Sequence, residues 1–223
     1  MGEMKILPED VAFVYGDADI MTEEGRSLSG GFIALHRRFD TLPSGDIFVE
    51  LVRGNWIPAD ATLIRRSCLE AVGGYNDTMR HEDYDLWLRL ALRYRVAMTS
   101  AINTRVRLVR RSLSRGNGKA VVEEYTGMFF RVLGRRPEAD PIIRRQIVDH
   151  LEELYRLAHP RRHEHMRRYL RAHRSAYVRY LYACSRCGLS YQTADRLRQA
   201  LVRCAQAVRR ITGRPANREA VSA

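Results

Sequence analysis

Gly73-Gly74-Tyr75-Asn76-Asp77, followed by His81-Glu82-Asp83-Tyr84-Asp85-Leu86-Trp87-Leu88-Arg89-Leu90, is the stretch on which the reading of this chain turns. The paired glycines stop whatever precedes them, and a helix is expected to start near Glu82. Its apolar positions Leu86, Leu90 and Tyr94 share one face, with Trp87 and Ala91 beside them, as helical spacing requires. A carboxylate in the first turn of such a helix lies near the positive end of the helix dipole and near free backbone N–H groups, so it is held charged and oriented. That environment suits a general base, although a plain N-cap with first-turn acids is the reading the residues alone favour.

Upstream, Val11-Ala12-Phe13-Val14-Tyr15 is a short apolar run cut off by Gly16-Asp17, which predicts a buried strand ending at a turn with acids at its C-terminal end. Thr22 to Gly31, with Glu23-Glu24-Gly25 and Gly30-Gly31, reads as turn and loop. Asp60 to Ile64 reads as a strand, and Ser67 with Glu70 three residues on reads as a capping box for a short helix ending at Gly73. Ile102, Thr104, Val106 and Leu108 alternate with polar residues, a strand with one polar side. The first 110 residues are thus mixed α and β.

Beyond Gly118 the pattern is helical. Asp140-Pro141 caps a helix with Ile143, Ile147, Leu151 and Leu154 inward. Two more helices, near His165 to Cys184 and Thr193 to Ile211, are separated by Gly188-Leu189-Ser190 and predict an antiparallel hairpin, with a frayed tail over 214–223. Hydrophobic residues at 45% and charged residues at 29% place the chain among packed proteins rather than disordered ones. The charge is uneven: residues 101–223 hold 27 basic against 10 acidic residues, while residues 1–100 hold 11 against 16. Solvated outer faces of Arg-rich helices and an anionic partner both account for the basic half. No apolar run is long enough for a membrane span and no apolar signal core opens the chain, so a cytoplasmic location is expected. Cys68, Cys184, Cys187 and Cys204 are too few for a disulfide scaffold; Cys184 and Cys187 form a C-x-x-C without a second pair and are expected to be buried helix thiols.

Gly73, Gly74, Tyr75, then Glu82 through Arg89, resemble the GG-aromatic and E-D-Y-D-L-W-L-R signature of family 2 glycosyltransferases, with eight consecutive matches in the second part. The flanks agree in order. Val11 to Asp17 with Gly25 resembles the family's V-Y-x-D … D-G strand and turn. Asn55 to Arg66 resembles its acceptor-side strand leading to paired basic residues. Arg107, Ser112 and Ser114 resemble its Y-R-x-H-x-x-S-x-S segment, although the histidine of that segment falls at Val109. The resemblance covers roughly residues 8 to 130.

It implies an α/β fold: an incomplete GT-A (Rossmann-like) glycosyltransferase domain over 1–117, followed by a basic α-helical region over 118–213 and the tail. It also implies inverting transfer from a nucleotide-sugar donor to a saccharide or lipid-linked hydroxyl acceptor. Asp83 would then be the general base and Glu82 would orient the site, while Arg107, Arg110 and Arg111 are candidates for contact with the donor diphosphate or the acceptor. The family expects a divalent cation, Mg²⁺ or Mn²⁺, on a D-x-D motif ahead of the matched stretch, so the N-terminal nucleotide-binding half is expected to be missing. Asp17-Ala18-Asp19 is literally D-x-D. The residues after it resemble the family's next strand and turn, so hydrogen-bonding turn acids are favoured over metal ligands. The alternative class is a non-enzymatic basic helical module that binds nucleic acid or an anionic membrane surface. No nucleic-acid signature accompanies the arginines, and peripheral contact of the basic helices with the inner face of a membrane combines the two ideas.

Overall fold

A computed structural model of the chain describes residues 7–102, 104–109 and 118–212. The described residues form a mixed α/β structure, with small mixed sheets and several helices. They group into two compact units that divide within a helix, between Gln146 and Ile147.

In the first unit, β1 (Val11–Tyr15) is buried at all five positions, as its unbroken apolar run requires. It is the middle strand of a three-stranded sheet, between antiparallel β4 (Thr62–Ile64) and parallel β5 (Arg95–Met98), with Phe13 opposite Ile64 on one side and Val96 on the other. The chain then passes through Gly16 to β2 (Asp19–Met21), the middle strand of a second sheet, between antiparallel β3 (Ser27–Gly31) and parallel β6 (Arg105–Arg107). Two stretches, 11–21 and 95–107, thus run side by side through both sheets. At their junction a Cβ on Gly16 would come within 2.8 Å of the Ala101 carbonyl oxygen, so a residue without a side chain is needed there.

Around the sheets lie α1 (Phe32–His36), α2 (Phe48–Leu51), α3 (Arg66–Ala71), α4 (Glu82–Ala91) and α5 (Gly118–Val132). The expected helix at Glu82 is α4. It is buried almost all round, at Tyr84 through Leu88, Leu90 and Ala91, which makes it the core helix rather than a surface one. Trp87 stacks on Phe13 of β1 at 4.7 Å between ring centres, Tyr84 donates its hydroxyl to the Leu51 carbonyl of α2 at 2.6 Å, and its ring meets Phe129 of α5. The compact unit runs on to Gln146, so α5 belongs with the α/β part, although the sequence reading assigns 118 onward to the basic helical region.

Inside this core sits a charge. Asp85, 4% exposed, accepts from Arg89 Nε at 2.7 Å and from Arg131 of α5 at its other oxygen. Arg89 then donates to the carbonyls of Val72 at 2.7 Å and Gly74 at 2.8 Å, and Arg93 donates to that of Ala71. At the end of α3 the carbonyls of Ala71 and of the C-cap Val72 are therefore satisfied by arginines from α4 and just beyond it, while those of Cys68, Leu69 and Glu70 accept from the backbone amides of Val72, Gly74 and Gly73. Gly73 and Gly74 both adopt positive φ, 85° and 72°, a run that side-chain-bearing residues resist.

Several sequence expectations need correction. Ser27–Gly31 is strand rather than loop, because its backbone pairs with β2 despite a sequence with little apolar content. Asp60 lies in a 3₁₀ turn over Ala59–Ala61, and the strand begins only at Thr62. The capping box at Ser67 is absent: the N-cap is Arg65, Ser67 lies within α3, and Glu70 pairs with exposed Arg66 at 2.8 Å.

The second unit begins within α6 (Asp140–Arg156), whose Ile143, Ile147, Leu151 and Leu154 are fully buried as expected. It continues as α7 (Arg162–Ala172), α8 (Ala176–Arg186) and α9 (Tyr191–Thr212), with α7 packed on α8 and α8 on α9. The single helix expected from His165 to Cys184 is two, since His173 is extended and buried Ser175 caps α8 by accepting from the Val178 amide at 3.2 Å. Cys184 is buried and Cys187 exposed, which overturns the expectation of two buried thiols. The tail over 214–223 lies outside the described residues.

Replacing Asp85 with Ala is expected to destabilise the protein by about 3 kcal/mol in chemical denaturation, because two guanidinium groups lose their common anion. Arg66→Ala, at a fully solvated pair, is expected to leave the midpoint unchanged.

Candidate functional site

Asp83 occupies the second position of α4, where its carboxylate turns back on the helix start and accepts from the Tyr84 amide at 2.7 Å. Its other oxygen lies 3.5 Å from Asn55 Nδ2, a long contact. Asn55 Oδ1 accepts from the Ile57 amide at 3.1 Å, which turns the side-chain NH₂ of Asn55 toward Asp83. Burial is the largest influence on the Asp83 carboxyl and raises its pKa above the ordinary 3.8; Glu82 beside it acts the same way, against the Tyr84 amide and His81. A carboxyl that holds its proton more tightly is a stronger base.

Two tyrosines feel the same charge. Tyr125 of α5 is pushed up to about 12, by burial first and then by Asp83 and Glu124. Tyr75, 46% exposed just after the paired glycines, is raised by burial and then by Asp83 and Glu82. Both therefore present neutral phenols at physiological pH. His81, the residue before α4, sets its ring edge-on to Tyr125 at 5.1 Å, with Nδ1 3.5 Å from Glu124 Oε2, and the same Glu124 oxygen accepts from the Arg80 amide at 3.2 Å. Thus α5 and the loop at Asn55 complete the surroundings of Asp83. The sequence reading singled out neither Tyr125 nor a role for the Asn55 amide. An asparagine followed by an amide two residues on was the available signal for Asn55, and nothing in the helical pattern marked Tyr125.

Of the arginine candidates, Arg107 stands elsewhere. Arg107, on β6 of the second sheet, donates to the Glu23 carbonyl at 2.8 Å and so ties down the β2–β3 turn. Arg110, Arg111, Ser112 and Ser114 lie outside the described residues. Arg65, the first of the paired basic residues, donates to the carbonyls of Val11, Leu7 and Pro8 at 3.1 to 3.2 Å, and so secures the entry to β1.

Asp17 and Asp19 are engaged with neighbouring groups of the fold. Asp17 Oδ1 accepts from the amides of Ala18 at 2.8 Å and Ile33 at 2.9 Å, the second of which caps the start of α1 from a distance in sequence. Its carboxylate presses so closely on Gly31 that an added Cβ would meet Oδ2 at 1.8 Å. Asp19 faces Arg105, its register partner on β6, at 3.7 Å. Among the described residues, no group of three or more His, Cys, Asp or Glu is arranged to hold a metal ion.

No protein-family model, curated protein or solved structure matches this chain.

Two outcomes are expected. The native Asp83 carboxyl keeps its proton to a higher pH than the unfolded one, so its contribution to stability falls as pH rises from 3.8 through the raised native value. Asp83→Asn, which does not ionise, should therefore melt at a higher temperature than the parent at pH 7, and the gap should close as the pH falls toward 3.8. Equal melting at both pH values would contradict the raised carboxyl. Separately, Gly31→Ala should destabilise by about 1–3 kcal/mol through its clash with Asp17, and by clearly less in an Asp17→Ala background.

Proposed function

We propose that this chain carries the acceptor side of an inverting glycosyltransferase with a GT-A-type, Rossmann-like arrangement, acting on a nucleotide-sugar donor and a hydroxyl acceptor, saccharide or lipid-linked. The observation that carries the reading is the Asp83 carboxylate: half-buried at the start of the core helix, under-compensated, and raised in basicity. It takes the proton from the acceptor hydroxyl as that oxygen attacks the anomeric carbon. The bond from that carbon to the diphosphate breaks on the opposite face, and the configuration inverts in one displacement. Glu82, beside Asp83, keeps the local charge negative and raises the base further. The neutral phenol of Tyr75, 46% exposed, supplies a hydroxyl that can donate to an acceptor sugar without competing for the proton.

The matched residues Gly73 to Arg89 support the reading in a second way, because the structure gives most of them work. Tyr84, Leu86, Trp87 and Leu88 seat the helix in the core, Asp85 and Arg89 lock it to the glycine turn, and Asp83 takes no part in that lock.

The test is calorimetric titration with a panel of sugar nucleotides and oligosaccharide acceptors, together with release of nucleoside diphosphate. Turnover should fall by roughly 10²–10⁴ in Asp83→Asn and stay near the parent rate in Asp77→Asn. Turnover that survives Asp83→Asn, or absence of binding to every acceptor offered, overturns the reading.

A further inference from the structure

The longest helix of the chain, α9 (Tyr191–Thr212), begins as part of a core and ends outside it. Ala194 near its start is fully buried, and the Tyr180 hydroxyl of α8 donates to the Ala194 carbonyl at 2.5 Å. From there the helix loses its cover: every residue from Leu201 to Gln206 is exposed. Leu197 is 47% exposed and Leu201 63%, and with Cys204 they follow helical spacing along one face. The sequence carries that spacing on through Val208 and Ile211. An amphipathic helix normally buries such a stripe, and this one has no protein over it among the described residues.

The charges around the stripe say what covers it. By helical spacing, exposed Arg196 and Arg203 flank the stripe on one side and Arg198 on the other, and of these Arg198 is paired with Asp195 at 2.7 Å. The neighbouring helices add exposed Arg167, Arg171, Arg179 and Arg186, and the link between them adds Arg174. From 147 to 212 the sequence holds fourteen arginines, no lysine and five acidic residues. A second copy laid on the same stripe would set arginine against arginine, which opposes self-association through this face. An apolar stripe flanked by guanidinium groups matches a surface that is apolar within and anionic at its rim. We propose that the exposed half of α9 is a membrane-surface anchor, which lies in the interface of a bilayer containing acidic phospholipids, with Leu197 and Leu201 inserted and the arginines at head-group level. No helix among the described residues is long and apolar enough to cross a membrane, so the contact is one of lying on the surface rather than spanning. The proposal stands independently of the transferase reading.

The experiment is flotation of the full chain with vesicles of pure phosphatidylcholine and with vesicles containing roughly one third phosphatidylglycerol, at low and high salt. The chain is expected to float only with the acidic vesicles and to be released by salt. Leu197→Gln and Leu201→Gln are each expected to weaken partitioning by roughly tenfold, as loss of a buried leucine implies. Both positions are exposed, so unchanged melting curves will show that the variants fold. Three results would overturn the proposal. The first is no flotation with acidic vesicles at low salt. The second is flotation that ignores both leucine substitutions, which reduces the contact to the charge of the helices. The third is a dimer in solution that the leucine substitutions dissolve, which assigns the stripe to a second copy.

Discussion

A carboxylate taken out of water must be compensated on the spot, and the Asp85 carboxylate is the constraint around which the first unit is organised. Its desolvation is offset by two guanidinium groups, one from its own helix and one from α5, and breaking either contact strands a buried charge. Arg89 does not stop there. Its remaining N–H groups reach the carbonyls on either side of the paired glycines, so the end of α3, the turn, α4 and α5 are joined through a single anion. The apolar residues Tyr84, Leu86, Trp87, Leu88, Leu90 and Ala91 supply the burial, and the ion cluster favours one rotation and depth of the helix.

Two residues ahead on the same helix, Asp83 is treated in the opposite way. Asp85 has two cations, while Asp83 has one backbone amide, a long contact to Asn55 and the nearby charge of Glu82. The lock at Asp85 allows the shortfall at Asp83 to persist, because a helix held this firmly cannot rotate to carry its second carboxylate into water. Pairs of acids on one element with environments driven apart are a common way to set up a base beside a structural charge.

The sequence was most legible where a local pattern and the tertiary environment agree. The unbroken run Val11–Tyr15 is a central strand because both its faces are covered, and the spacing of Leu86, Trp87 and Leu90 marks α4 because that helix is the core. Legibility failed where partners distant in the chain decide the outcome. Ser27–Gly31 becomes a strand only because β2 offers it a backbone partner, and Ser175 divides two helices by a single cap inside a stretch of otherwise good helix formers. At the candidate site the first-turn acid was readable, but Asn55 and Tyr125 come from elements far from it in sequence and carry no pattern of their own. The pairing of Asp85 with Arg89 follows from i, i+4 spacing, whereas its pairing with Arg131 follows from nothing local.

The arrangement of β1 has a bearing on how the protein is made. The register of this strand joins Phe13 to Ile64 and Tyr15 to Met98, so both its neighbours leave the ribosome well after it does. Until then five apolar residues with unpaired edges remain exposed to any other nascent chain. Pairings between such distant segments form slowly and leave intermediates prone to aggregate. Recombinant yield should therefore respond more to the speed of translation and to holding chaperones than to the equilibrium stability of the finished fold.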